Sequence, residues 1–182
     1  GAKYDELFAP EHQLEAILPP IKEERDKWGD FPIIAAGGIW DREDIEKIMD
    51  LGADAVQLGT RFIGTHECDA SPVFKQVLLD SKEEDIVIVS SPVGYPGRAV
   101  KTNLIKTLEP DTKNIKCISN CIFPCNRGEG ARRVGYCIAD SLGDAYLGRL
   151  QSGLFFSGAN GYKLKEIVHV KDLIDELMTN EK

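Results

Sequence analysis

Apolar and polar positions alternate along this chain in two distinct rhythms. Pro32-Ile33-Ile34-Ala35-Ala36 has no polar side chain. A run without alternation predicts a strand buried on both faces, as in a parallel sheet. Gly37 and Gly38 come next; glycine permits positive φ and lets another group approach the main chain closely. Asp41 stands at an N-cap position, with Glu43 and Asp44 in the turn that follows. Ile45, Ile48 and Met49 then recur at i, i+3 and i+4, which predicts one apolar stripe on a helix ended by Gly52. Ala53 to Leu58 reads as a second strand, closed by Gly59-Thr60. The whole is a strand–helix–strand unit of two parallel neighbours with a right-handed crossover.

The same rhythms divide the rest of the chain. Leu14, Ile17 and Leu18 share a helical face that Pro19-Pro20 is expected to break, leaving Ile21 to Trp28 as a separate charged helix. Phe74, Val77 and Leu78 predict a helix over Pro72 to Ser81, and Ile86 to Val89 is β-branched throughout, a strand. Gly94-Tyr95-Pro96-Gly97 is a turn, after which Arg98 to Lys106 either pairs back as a strand or enters a helix. Residues 107–132 are rich in Pro, Asn and Gly, which predicts loop with one helical turn around Cys117 to Cys121. Tyr136 to Leu150 reads as a helix with Ile138, Leu142, Ala145 and Tyr146 inward. Leu154-Phe155-Phe156 runs into a third glycine turn at 157–161, and Ile167 to Met178 closes the chain with Leu173, Ile174 and Leu177 inward.

Both early glycine turns fall at carboxyl ends of neighbouring parallel strands. Backbone N–H groups there can hold a phosphate without a cationic side chain, as in the loops after the last strands of a (β/α)8 barrel. The bland alternative is a pair of tight turns. A net charge of −8 suits a site built on amides, and it argues against nucleic acid as a partner. No apolar run approaches the ~20 residues of a membrane span. Five cysteines include Cys117, Cys121 and Cys125 at intervals of four, Cys137 beyond and Cys68 remote. That spacing matches neither zinc pairs nor ferredoxin runs, so no metal is expected and reduced thiols of a cytosolic protein are favoured over a metal centre or a redox disulfide.

Single residues are weighed the same way. His66 is the histidine nearest the glycine turns, and a surface role is favoured. His12 and His169 read as structural, and Glu67 as a surface or capping carboxylate. Arg61 either forms a salt bridge at the strand ends or neutralises phosphate charge. Arg127, Arg132 and Arg133 are more simply a solvated cluster than an anion site.

Ala35-Ala36-Gly37-Gly38-Ile39, followed by Gln57-Leu58-Gly59-Thr60-Arg61-Phe62, resembles the nitronate monooxygenase family, formerly the 2-nitropropane dioxygenases. The flavin-dependent enoyl-ACP reductases share these motifs. The resemblance runs on through Gly94-Tyr95-Pro96-Gly97-Arg98-Ala99 to Tyr162 and the final helix. It implies an FMN-dependent α/β protein, the C-terminal part of a (β/α)8 TIM barrel with a small extra α+β segment. The implied division is 1–82 for the last strands and helices of the barrel with the FMN phosphate site, 83–135 for a cysteine-containing accessory segment, and 136–182 for helices closing on the barrel. Gly38 and Gln57, Leu58, Gly59 and Thr60 match FMN-contacting positions; Gly37 joins them from the turn itself. Ser157 and Gly158, in the third glycine turn, are candidates for the flavin's vicinity or a plain turn.

The family's catalytic histidine lies in a Gly-Gly-His segment that these 182 residues do not contain, so it is expected upstream. The implied activity of the intact parent is oxidation of alkyl nitronates by O2 to carbonyl compounds and nitrite. The alternatives are an FMN- and NAD(P)H-dependent enoyl-ACP reductase, or a non-catalytic phosphate-binding fragment. The partners implied are a small-molecule substrate, O2 and a second subunit in a homodimer, in the cytoplasm, with no membrane association.

Overall fold

The computed structural model describes residues 10–108, 118–122, 125 and 135–179. In chain order a 3-10 turn at Pro10–His12 leads to α1 (Leu14–Trp28), β1 (Ile34–Ala36), α2 (Arg42–Asp50), β2 (Ala55–Gln57) and α3 (Thr60–Ile63). Then come α4 (Pro72–Leu79), β3 (Ile86–Val89), β4 (Gly97–Val100), α5 (Asn103–Thr107), α6 (Ile138–Tyr146) and α7 (Val170–Met178). These elements form two units. One holds the described residues up to 67 together with those from 168 on; the other holds the described residues from 68 to 167.

The first unit is built on the expected strand–helix–strand. β1 and β2 pair in parallel, with Ile34 opposite Ala55 and Ala36 opposite Gln57. Asp41 caps α2 by accepting from Asp44 N at 3.0 Å, and the Asp44 carboxylate returns to Trp40 N at 2.8 Å. Two amides at the helix start are thereby satisfied. Gly52, at φ +105, ends the helix as expected. Asp54 locks the strand entries: its Oδ2 accepts from Ile33 N at 2.8 Å and from Arg25 Nη1 at 2.7 Å. The Ile33 amide holds its carboxyl below the usual aspartate range, with Arg25 adding to the effect.

The core of this unit gathers Leu18, Ile33, Ala35, Ile45, Ile48, Leu173 and Leu177. Val168 returns beside the end of α3, in a parallel bridge to Thr65. Glu67 then caps α7: its Oε2 accepts from Val170 N at 2.9 Å and its Oε1 lies 3.1 Å from His169 Nδ1. The Val170 amide, first, and His169 keep this carboxyl below its ordinary range.

Four expectations change here. Pro19 and Pro20 do not break the helix; α1 runs unbroken through both. The amides they lack would have served Glu15 and Ala16, which are exposed, so water can satisfy those carbonyls. β1 is not buried on both faces: Ala35 is buried but Ile34 is 62 % exposed. Met49 and Ile174 lie outside the buried stripes, at 40 % and 44 % exposure. Each sits one position past a core residue, a rotation of about 100° around its helix.

In the second unit, β3 and β4 form an antiparallel hairpin, Ile86 opposite Val100 and Val89 opposite Gly97. Arg98 to Lys106 thus does both things the pattern allowed, pairing back as β4 and then turning into α5. The 155–157 segment runs along β4, with Val100 N donating to Phe155 O at 2.9 Å and Ser157 N to Arg98 O at 3.0 Å. Val89, Ala99, Tyr136 and Leu154 make the core, and the Tyr136 hydroxyl donates to Ser90 O at 2.8 Å.

α6 is shorter than predicted, and its inward face is Ser141, Asp144 and Ala145. Leu142 and Tyr146 are exposed. Asp144 can face inward because it is satisfied, accepting from Arg149 Nη1 at 2.7 Å, and Leu154 N donates to the Ser141 main-chain carbonyl at 2.8 Å, which ties the following segment to the helix. Hydrogen bonds from Ser152 and then Arg149 lower the Asp144 carboxyl pKa. Residues 119–120 form a turn with Asn120 at φ +60 rather than a helical turn; Cys117, Arg127, Arg132 and Arg133 lie outside the described residues.

Candidate functional site

The parallel register brings the two early glycine turns together. The ladder's last pair is Ala36 with Gln57, and parallel neighbours lie about 4.8 Å apart. Gly37-Gly38 and Leu58-Gly59-Thr60 therefore leave adjacent strands at the same edge. Gly37 and Gly38 sit at φ +101 and +74, a region that L side chains rarely adopt. Among the described residues, leaving aside each glycine's chain neighbours, no atom lies within 4 Å of where a Cβ would stand at Gly37, Gly38 or Gly59. The space on the Cβ side of all three is therefore uncrowded, which lets another group come close to the chain there.

Gly59 is also the N-cap of α3, with no side chain to fill that helix start. The short helix was not foreseen: Thr60-Arg61-Phe62-Ile63 is one turn long and carries no periodicity to detect. A glycine loop after one strand, beside a short helix after the next, is the arrangement that holds phosphate at the end of many β/α barrels.

Arg61 follows directly. Its Nη2 donates to the Glu176 carboxylate on α7, and its Cζ lies 4.9 Å from the centroid of the Trp40 ring. The salt-bridge alternative is thus present. Arg61 Nε is buried without a hydrogen-bond partner among the described residues. Neither Trp40 nor Glu176 was singled out in the sequence, since 115 residues separate Arg61 from Glu176.

A hollow of about 100 Å³ backs onto Gly37 and Gly38. Its wall carries Glu15, Asp44 and Lys47, and Lys47 Nζ is paired with Glu15 at 2.5 Å. Two carboxylates against one ammonium make this hollow unsuited to an anion.

Ser157 and Gly158 lie in the second unit. The Ser157 hydroxyl donates to Gly158 O at 3.0 Å. His66 is exposed, its ring 4.6 Å from that of His169. Cys68, Cys121, Cys125 and Cys137 are thiols. Among the described residues no three His, Cys, Asp or Glu side chains converge as metal ligands, and no helix is long and apolar enough to cross a membrane.

The family model for nitronate monooxygenase matches residues 5–180. The chain belongs to the nitronate monooxygenase family. Its members are enzymes, flavin-dependent oxidoreductases. It is 39% identical over 75 residues to a Staphylococcus saprophyticus protein named "Probable nitronate monooxygenase", covering 41% of this chain and 21% of that one. A Staphylococcus haemolyticus protein of the same name is 36% identical over 85 residues, 47% of this chain and 24% of its own length.

Among solved structures, FabK from Thermotoga maritima is 26% identical with a TM-score of 0.67, over 91% of this chain and 48% of that one. Nitroalkane oxidase from Streptomyces ansochromogenes, at 21% identity and a TM-score of 0.64 over 97% of this chain and 45% of that one, shows a shared fold. Both neighbours are TIM-barrel flavoenzymes. The chain thus spans about a quarter or less of these curated relatives and under half of these solved chains.

The residues present fit a flavin phosphate. Two adjacent glycine turns at the same end of the sheet, uncrowded at Gly37, Gly38 and Gly59, are what a phosphate would engage.

Proposed function

We propose that this chain carries the cofactor-phosphate end of an FMN-dependent oxidoreductase that oxidises alkyl nitronates with O2 to carbonyl compounds and nitrite. The activity belongs to the intact protein. The observation that carries the reading is the pair of glycine turns at the same end of two parallel strands, in a chain of this family. Gly37, Gly38, Gln57, Leu58, Gly59 and Thr60 hold the phosphate on main-chain amides, each a charge-assisted hydrogen bond worth about 1–3 kcal/mol. FMN rather than a dinucleotide flavin is what the resemblance to the family implies. Bound flavin supplies the redox chemistry; the protein fixes its position and limits water.

Residues 1–82 contribute the last strands of a TIM barrel, 83–135 the accessory segment and 136–182 the closing helices. The base is a histidine outside these residues. The protein acts in the cytoplasm, as a homodimer.

A second reading, an enoyl-ACP reductase using FMN and NAD(P)H, is favoured by the likeness to FabK. The test is a pair of reactions with the intact parent protein. Oxygen uptake and nitrite release with propionate 3-nitronate support the first reading. NADH oxidation that depends on an enoyl thioester, with no response to the nitronate, would replace it by the second.

A further inference from the structure

We infer that Arg61 is a positioning residue for the cofactor phosphate, fixing the two glycine turns against each other and making the C-terminal helix α7 part of the site's support. The inference rests on the FMN reading above and deepens it. Backbone pairing between β1 and β2 ends at Ala36 and Gln57. Gly37-Gly38 and Gly59-Thr60 both lie past that last rung, so the ladder does not set their separation. Side chains do. Trp40 stands two residues beyond Gly38, is 7 % exposed, and is tied to α2 through its amide and the Asp44 carboxylate. Arg61 stands two residues beyond Gly59, its side chain 12 % exposed, and lays its guanidinium over the Trp40 indole at 4.9 Å. One turn is thus clamped to the other through an aromatic face and a planar cation.

Glu176 completes the clamp from α7, whose Leu173 and Leu177 lie in the same core. Its carboxylate takes Nη2, which orients the guanidinium and offsets its charge. An arginine so engaged acts on a phosphate through the amides it places, not as a loose counter-ion. The shape matters as much as the charge. Lysine would keep the cation but lose the flat face that covers indole and the fork that meets the carboxylate.

The test compares FMN with riboflavin, which lacks the phosphate, by quenching of flavin fluorescence on the intact parent protein. The variants are Arg61→Lys, Glu176→Gln, Trp40→Phe and Trp40→Leu, with far-UV circular dichroism and thermal unfolding as folding controls. The expected result is a rise of about tenfold in the FMN dissociation constant for Arg61→Lys and Glu176→Gln, in line with removing a group that orients ligating atoms. Riboflavin affinity stays within about twofold, the difference that separates positioning of the phosphate from general damage. Trp40→Phe, which keeps an aromatic face, retains more FMN affinity than Trp40→Leu.

Equal losses for FMN and riboflavin, or unchanged FMN affinity in folded Arg61→Lys, would overturn the inference and leave the flavin reading standing. Tighter FMN binding by Glu176→Gln would also overturn it, since Arg61 would then be a direct anion ligand restrained by Glu176. An unsubstituted parent protein that binds FMN no better than riboflavin, or binds neither, overturns the phosphate reading and this inference with it.

Discussion

Replacing Gly37 by alanine separates backbone strain from cofactor contact, because Gly59 supplies the matching control. Gly37 sits at φ +101 with nothing within 4 Å of a new Cβ. The methyl meets no neighbour, so the cost is conformational: about 1–3 kcal/mol for an L residue held there. Alanine also restricts the unfolded chain, which returns about 0.4–1 kcal/mol. The net expectation is a loss of about 1–2 kcal/mol. Gly59 has φ −121 and the same open space. Its substitution by alanine changes stability by only about half a kcal/mol, since a weaker N-cap and a stiffer unfolded chain nearly cancel.

Urea unfolding followed by tryptophan fluorescence reads both, because Trp28 and Trp40 lie in the first unit and Trp40 is buried. FMN titration of the folded variants completes the comparison. Gly37→Ala is expected to lose stability and FMN affinity together, and Gly59→Ala to lose FMN affinity alone. A Gly37→Ala protein as stable as the parent would refute the strain argument. A Gly59→Ala protein with full FMN affinity would remove the second turn from the site.

Two further outcomes follow from the first unit's core and its carboxylates. Leu173→Ala removes a side chain with no exposed surface and should cost about 3 kcal/mol, whereas Ile174→Ala next to it should cost under about 1 kcal/mol; equal urea midpoints would contradict the burial pattern. Asp54 and Glu67 both have pKa values lowered by backbone amides. Their contribution is therefore complete above the ordinary carboxylate range and is lost as pH falls through their folded values. Urea midpoints should stay level from pH 7 to about 5 and fall below about 4, and Glu67→Gln should flatten part of that fall.

The elements most legible in the sequence were those that local chemistry determines. Asp41 and Gly52 bracket α2 because capping and left-handed termination need those side chains at those places. The adjacency of the glycine turns followed from two strands joined by one helix. What stayed hidden depends on distant chain. An apolar run such as 32–36 does not say what covers each face, and here Ile34 is uncovered. Pro19 and Pro20 looked like breakers because the hydration of two exposed carbonyls cannot be read from residue types. The inward Asp144 of α6 depends on Arg149, which lies beyond the helix, supplying its partner. At the site, the turns were readable but the Trp40–Arg61–Glu176 contact was not, since its members come from separate elements.

The bridge between Thr65 and Val168 has a consequence for the order in which the molecule is completed. Everything from 68 to 167 is inserted into the first unit. On a ribosome the inserted unit is finished while its host still lacks α7. Until that helix emerges, the host has no Leu173 or Leu177 to fill its core. Chain order and order of completion are thus reversed: the unit begun first closes last. Because the bridge is parallel, the segments on either side of the insertion run the same way, so excising the insert would call for a crossover linker of about a dozen residues, not a tight turn, to make the split unit continuous.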